Sequence, residues 1–458
     1  MPPFPLGRPE NESHLEKTMS TRRSFLKQAA GASLAVSTLS NSAASYARII
    51  GANDRINAVV MGVGGRGAVL AQDFASANNA MVTDLCDPDL RRCDAANATL
   101  AEGGFAKARV HADFRKALES SDTDVMVIAA PDHWHTPGAI MGLQAGKHVY
   151  LEKPVSHNPA EGELLIKAQE QYGKVVQIGN QQRSALETIE LINRIRQGEL
   201  GDIYKVYTWY ANNRGTIGNG KVVPAPDWLD WDLWQGPAPR RDYQDNVVHY
   251  NWHWFWNWGT GETCNNAMHE LDIARWAIGA DYPDKVEVSG ARRHYTDDDW
   301  EMYDTIEATY KFADATVIWE GHSCNLVNKF GRGRGTLIYG TKGWAIVDRN
   351  GYEIYDLGGK MQHEVKAASA SATTDTRGGG PLNTLHVSNL LGVIRGTGND
   401  LHSPVDDGHK STLMCHLANI AYRTGQTLYC RPETGRPTND AADKFWGREY
   451  APGWDPAV

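Results

Sequence analysis

Gly62-Val63-Gly64-Gly65-Arg66-Gly67 stands between an apolar run, Asn57 to Met61, and a segment from Ala68 to Ala75 whose small and apolar residues recur at helical spacing. Strand, glycine turn and helix in that order open a parallel α/β sheet that binds a dinucleotide. In such a turn Gly62 takes the tight bend, Gly64 leaves room for a pyrophosphate and Gly67 lets helix approach strand, with Gly65 and Arg66 at the helix start. Asp87 follows the next apolar run, Ala80 to Leu85. A carboxylate at that strand end accepts hydrogen bonds from an adenosine ribose diol and repels a 2′-phosphate, which favours NAD; Arg91 and Arg92 lie close enough to accommodate NADP.

Working outward, Asp124 to Ala130, His148 to Leu151 and Lys174 to Ile178 are further short apolar runs of the kind parallel strands show when both faces are covered. Helical segments at Pro137 to Gln144 and Pro159 to Tyr172 separate them, giving a doubly wound Rossmann domain over residues 52–180. Beyond Asn180 the strand candidates Tyr204 to Trp209, Lys285 to Ser289, Asp304 to Phe312, Thr316 to His322 and Thr336 to Tyr339 mostly lack helices between them. Residues 181–458 therefore read as a second, α+β domain with a mostly antiparallel open sheet. Residues 211–257 read as a Trp-rich loop, Ala367 to Gly380 as a low-complexity stretch, and Lys410 to Thr424 as a helix.

A length of 458 residues fits two domains, and 41% hydrophobic with 22% charged residues is the composition of a globular chain. No apolar run is long enough to span a bilayer, which argues against membrane insertion, and a net charge of -9 without a basic stripe argues against nucleic acid. The six cysteines show no C-x-x-C pair. Within residues 1–47, the block Thr21-Arg22-Arg23-Ser24-Phe25-Leu26-Lys27 precedes a modest apolar stretch and the small residues of Ser45-Tyr46-Ala47. This resembles a twin-arginine (Tat) export signal, cleaved near Ala47, and implies a periplasmic or otherwise exported protein that engages the Tat machinery. Met19, just before the block, makes residues 1–18 a candidate mis-assigned start.

With Ala130-Pro131-Asp132-His133-Trp134-His135, Glu152-Lys153-Pro154, and Gly259-Thr260-Gly261 leading to His269 and Asp272, the mature chain resembles the Gfo/Idh/MocA family of oxidoreductases over nearly its whole length. Leu229-Asp230-Trp231-Asp232-Leu233-Trp234-Gln235-Gly236-Pro237 resembles an exported subgroup. The resemblance implies that Pro131, His135, Glu152, Lys153 and Asn180 join the glycine turn and Asp87 in holding the cofactor. It also implies that Lys153 contacts cofactor and substrate, that His269 is the acid/base, and that the protein is a homodimer or homotetramer.

Oxidising a carbinol needs a base within reach of the hydroxyl and a donor that fixes its oxygen. Lys153 and His269 supply those groups. Asn265, His269 and Asp272 recur at spacings of four and three, one stripe of a helix that can face the cleft. The family's usual pattern has an aspartate where this chain has Asn265, so Glu262, Asp272 or His133 could share the proton path. Of the aromatic residues from Trp231 to Trp258, Trp254 and Trp258 are taken with Lys153, Asn265 and His269 as substrate contacts, since flat rings with N–H donors stack on sugar C–H faces. The pairs His133/His135 and His249/His253 lack metal-ligand context, and no metal is expected.

The expected activity is hydride transfer between a carbinol of a sugar or polyol and a tightly held nicotinamide cofactor, because an exported enzyme meets no soluble pool of it. Two alternatives stand beside this: a redox-assisted glycosidase acting through transient sugar oxidation and elimination, and a cofactor-stabilised binding protein without catalysis.

Overall fold

The computed structural model describes residues 55–367, 380–397 and 400–458. The Tat block and most of the low-complexity stretch lie outside them.

Strands β1 (Ile56–Met61), β2 (Ala80–Cys86), β3 (Arg109–His111), β4 (Val125–Ile128), β5 (His148–Leu151) and β6 (Val176–Ile178) form a six-stranded sheet in the order β3-β2-β1-β4-β5-β6, all parallel. Helices α1 (Gly65–Ser76), α2 (Leu90–Glu102), α3 (Phe114–Leu118), α4 (His135–Gln144) and α5 (Pro159–Tyr172) connect the strands. β4 is fully buried along its length, which is why its sequence is a continuous apolar run. The order reverses between β1 and β4, and a crevice opens beyond the strand ends at that switch point.

After α6 (Leu186–Arg196), β7 (Ile203–Ala211) leads into a nine-stranded sheet. α7 (Trp231–Gln235) and α8 (Met268–Ile278) come before β8 (Lys285–Ala291), β9 (Thr305–Lys311), β10 (Thr316–His322), β11 (Arg334–Gly340), β12 (Gly343–Asp348), β13 (Gly351–Asp356) and β14 (Met361–Lys366). α9 (Pro381–Ile394), α10 (Val405–Thr424), β15 (Leu428–Tyr429) and α11 (Asp440–Asp443) complete the chain. The sheet order is β14-β13-β12-β11-β7-β10-β9-β8-β15, antiparallel throughout except for β7 against β10. One face packs Val206, Tyr310, Val317 and Ile338 against α6, α8 and α10. The other carries a smaller aromatic layer around Trp209, Leu337 and Ile346.

β12 to β14 and the helices α6 and α9 go beyond the elements expected from sequence. β12 and β13 are short, and a two-residue turn at Arg349-Asn350 joins them ahead of Gly351, whose φ is 124°. α9 leaves the second half of the chain and seats Val387, Leu390 and Leu391 in the core of the first sheet.

Candidate active site

Gly62 closes β1 with φ 79°, and a Cβ there would lie 2.6 Å from Ala130 N on the neighbouring strand end. At Gly67 a Cβ would come within 1.8 Å of Gly62 O, so α1 can sit this close to β1 only with glycine. α1 begins at Gly65, and its cap, Gly64, has no side chain to bond the first-turn amides. Those amides border a cavity of about 870 Å³, where an anion would complete them.

Asp87 borders the same cavity. Its carboxylate accepts from Val63 N (3.0 Å) and Asp89 N (2.9 Å), and burial pushes its pKa up to about 6. Of the two arginines nearby, Arg92 lines the cavity, whereas Arg91 is held by Asp89 at 2.8 Å and lies over Trp228. An uncapped helix start, a glycine cradle and a strand-end carboxylate in one crevice fit a dinucleotide.

Pro131 and His135 line the cavity after β4, and Glu152 and Lys153 line it after β5. The His135 ring lies between Ala130 O and Pro154 O, tying these two strand ends together. Glu152 accepts from Arg66 Nε (2.7 Å) and Gln181 Nε2 (2.9 Å); burial pushes its carboxyl up, but Arg66 and Lys153 outweigh this and hold it below the ordinary carboxylate value. Asn180 is a correction to the sequence expectation. Its buried side chain makes no hydrogen bond and does not border the cavity; Gln181 and Gln182, one and two positions further from the strand end, do.

Lys153 Nζ donates to Asn265 O (2.7 Å) and Asn265 Oδ1 (3.2 Å), and burial lowers its pKa from the ordinary lysine value. Asn265 thus bridges Lys153 with neutral oxygens, while its Nδ2 faces Glu262 Oε1 at 3.4 Å. His269 lines the cavity, and none of the described residues bonds its ring. Burial, with Arg349 and Lys153 adding to it, holds its pKa well below the ordinary histidine value, so the imidazole is neutral.

Asp272 does not share the cleft. It accepts from Arg183 Nε and Nη2 at 2.8 Å each and from Ser411 Oγ at 2.7 Å, all buried. The stripe expected from sequence holds for Asn265 and His269, which both line the cavity across the π-helical segment Thr263–Ala267, and fails at Asp272, which Arg183 and Ser411 take up instead. Glu262 is likewise committed, to Arg214 at 2.6 Å, and both His133 ring nitrogens sit against the carbonyls of Trp234 and Trp258. None of the three is left to carry a proton in the cleft.

Trp254 and Trp258 are also corrections. Trp254 stacks on Trp300 with ring centroids 4.1 Å apart, and Trp258 packs among Trp231, Trp234 and Phe255; both are buried outside the cavity. Among the described residues, the Phe, Tyr and Trp rings that border it are Phe114, Trp134, Trp234, Tyr250 and Trp252. Sequence reasoning missed Arg214, Gln181, Arg349 and the start of α9, where Leu382 and Asn383 line the cavity. Their lone polar residues carry no motif.

His249 faces Asp89 at 3.1 Å and His253 stacks on Trp252, outside any α-helix. Among the described residues, His294, Asp304 and Cys324 bring three ligand-type atoms together, but Asp304 already accepts from the amides of Arg293 and His294 and from Thr305. All six cysteines are free.

The parallel sheet with its glycine turn and lysine-histidine cleft defines a Rossmann-fold NAD-binding oxidoreductase. Residues 56–180 match the model of the oxidoreductase family's NAD-binding Rossmann fold and residues 202–348 that of its C-terminal alpha/beta domain, and the chain belongs to the Gfo/Idh/MocA family. It is 29% identical over 199 residues to a glycosyl hydrolase family 109 protein of Solibacter usitatus, covering 41% of this chain and 45% of the relative. It is 24% identical over 229 residues to an inositol 2-dehydrogenase of Salmonella paratyphi B, covering 50% and 56%. The chain thus spans about half the length of the curated relatives it matches. Among solved structures, an aldose-aldose oxidoreductase from Caulobacter crescentus in complex with glycerol shares the fold with TM-score 0.61 at 20% identity, over 82% of this chain and 99% of that one.

Proposed function

We propose that the protein transfers a hydride between a carbinol of a sugar or polyol and a nicotinamide dinucleotide, NAD in preference to NADP, that stays bound through turnover. The observation carrying this reading is that Lys153 and His269 border the same cavity as the glycine turn and Asp87. The dinucleotide supplies the hydride acceptor. Lys153, anchored by Asn265, presents its ammonium to the substrate oxygen and stabilises the charge that develops there. His269, kept neutral, takes the hydroxyl proton. Trp234 and Trp252 border the cavity and give a sugar ring apolar surface to pack against.

Retention of the dinucleotide is supported by α9, whose first residues lie at the cavity beside the glycine turn. Arg66 Nη2 donates to Asn383 Oδ1 at 3.1 Å, Asn383 Nδ2 donates to Asp73 at 2.9 Å, and the helix behind is anchored by buried apolar side chains. Releasing the dinucleotide past this corner requires moving an element with a buried face. Such retention suits a Tat-exported enzyme in the periplasm, and the aromatic layer on the outer face of the second sheet suits a homodimer or homotetramer. The domain roles follow: residues 52–180 hold the dinucleotide and 181–458 the substrate.

A second reading, a redox-assisted glycosidase, is favoured by the matches to glycosyl hydrolase family 109 proteins. In this chemistry the bound dinucleotide would take up a hydride and later give it back; in between, loss of the C–H proton made acidic by the ketone would expel the glycosidic oxygen as the alcohol, and water would add to the double bond so formed.

The test is to add sugars, polyols and glycosides to the purified holoenzyme and follow the absorbance of reduced nicotinamide. Stoichiometric reduction by a free carbinol supports the first reading. Glycoside cleavage without net reduction supports the second, and loss of neither activity in Lys153→Ala contradicts both.

A further inference from the structure

Behind the cleft, the π-helical segment Thr263–Ala267 brings a cysteine against α10. Cys264 is fully buried; its Sγ lies 3.8 Å from His416 Nδ1, accepts from Asn419 Nδ2 at 3.8 Å and is in hydrogen-bonding contact with the Cys415 thiol. Cys415 Sγ donates to Ser411 O at 3.6 Å, and Ser156 Oγ lies 3.1 Å from His416 Nε2. Burial pushes the Cys264 thiol up, but Cys415 and His416 outweigh it and bring it below the ordinary cysteine value, whereas burial and Cys264 push Cys415 well above it. A thiolate is the nucleophilic form of cysteine, and a second thiol in contact with it can resolve its oxidised product to a disulfide.

A small cavity of about 30 Å³ abuts this cluster. It is lined by Thr260, His416 and Asn419, which contact the Cys264 sulfur, and by His157, Asn158 and the exposed Arg423. Both His157 ring nitrogens and Asn158 Nδ2 are buried there without a hydrogen bond from the described residues. Polar walls around a space of this size hold about two water-sized molecules, and hydrogen peroxide is such a molecule. Asn265, the residue after Cys264, accepts Lys153 Nζ on its carbonyl at 2.7 Å, so a bond formed at Cys264 acts on the lysine through one peptide unit. We propose that Cys264 and Cys415 form a peroxide-oxidisable pair whose disulfide slows turnover by displacing the Asn265 carbonyl from Lys153. The Cys264 thiolate attacks one peroxide oxygen, the O–O bond breaks, and the departing hydroxide recovers as water the proton that Cys264 gave up. Cys415 then attacks the sulfenic sulfur; the S–S bond forms, the S–O bond breaks, and hydroxide leaves as a second water with the Cys415 proton. Two thiols lose two electrons to one peroxide.

The experiment treats the folded holoenzyme with hydrogen peroxide, alkylates the remaining thiols and maps the unreduced peptides by mass spectrometry. A Cys264–Cys415 disulfide is expected, with the more accessible Cys324 still alkylated, although exposure alone would favour Cys324. In Cys415→Ser the sulfenic acid is expected to persist at Cys264 and to take a dimedone label. Forming the disulfide is expected to lower kcat about tenfold, the scale of a small displacement of a positioned group, and dithiothreitol to restore it; Cys415→Ser should match the reduced wild type before oxidation. Oxidation of Cys324 ahead of the pair, a pair still fully alkylated after peroxide that consumes free glutathione, or a mapped disulfide with kcat unaltered overturns the proposal. The slowing of turnover rests on the role given to Lys153 in carbinol oxidation. Failure of that reading shows as a reduced enzyme that oxidises no carbinol, whereas failure of the thiol pair shows in the peptide map, which needs no substrate.

Discussion

The dinucleotide wall of the cleft is assembled from strand ends, whereas the facing wall is assembled from turns, a π-helical segment and the start of a late helix. On the first wall Gly62, Asp87, Pro131, Glu152 and Lys153 each follow a parallel strand within a few residues, so local sequence sets their positions. On the second wall Arg214, Trp252, His269, Arg349 and Leu382 meet only because long connections bring them together. The first wall is thereby fixed by the architecture that any dinucleotide needs. The second is free to vary with the substrate.

The comparison is broken most sharply at the junction of the walls. Lys153→Ala is expected to lower kcat about a thousandfold, the scale of losing a positioned charge at a developing oxyanion, while bound dinucleotide measured by mass spectrometry stays near the wild-type amount. Loss of the dinucleotide together with activity would place Lys153 on the first wall alone.

Two carboxylates separate structural from site roles. Asp272→Asn breaks a buried pair with Arg183 and is expected to cost about 3–5 kcal/mol of stability in denaturant unfolding. Dinucleotide content and the rate per folded molecule should be unchanged; a fall in kcat with unaltered stability would return Asp272 to the chemistry. Asp87, by contrast, titrates in the site. Its carboxyl is charged above about pH 6 and neutral below it, so its capacity to accept from a ribose diol is lost as pH falls. Dinucleotide affinity by calorimetry is expected to drop about tenfold from pH 7 to pH 5, as one proton requires, and Asp87→Asn should flatten that profile.

The smallest effect distinguishes the tryptophans. Trp252→Leu is expected to raise KM about fivefold, within the range of one lost stacking contact, alongside a loss of stability from its packing on His253. Trp254→Leu, which removes the partner of Trp300, should lower stability and leave KM alone. Equal effects on KM would mean that the whole aromatic loop senses the substrate.

Much of the first wall was legible because its signals are local: a glycine whose φ is positive, a glycine where helix meets strand, a carboxylate ending a strand. Lys153 and His269 were legible through motif order. Asp272 was misplaced because spacing from His269 gives only a helix face, and the residues that take up its carboxylate, Arg183 and Ser411, are distant in sequence. Trp252 and Trp254 are two residues apart in the same short segment, and only the loop's folded path turns one to the cavity and the other to Trp300. Arg349 and the start of α9 had no local signature, since their place depends on a hairpin and on a helix that returns to the first sheet.

The central claim is that both walls enclose a resident dinucleotide. The direct measurement is to purify the mature protein without added nucleotide, denature it and identify the released small molecule by mass spectrometry. The account predicts about one NAD(H) per chain; protein that is folded, dinucleotide-free and unchanged in thermal stability on adding NAD would contradict it.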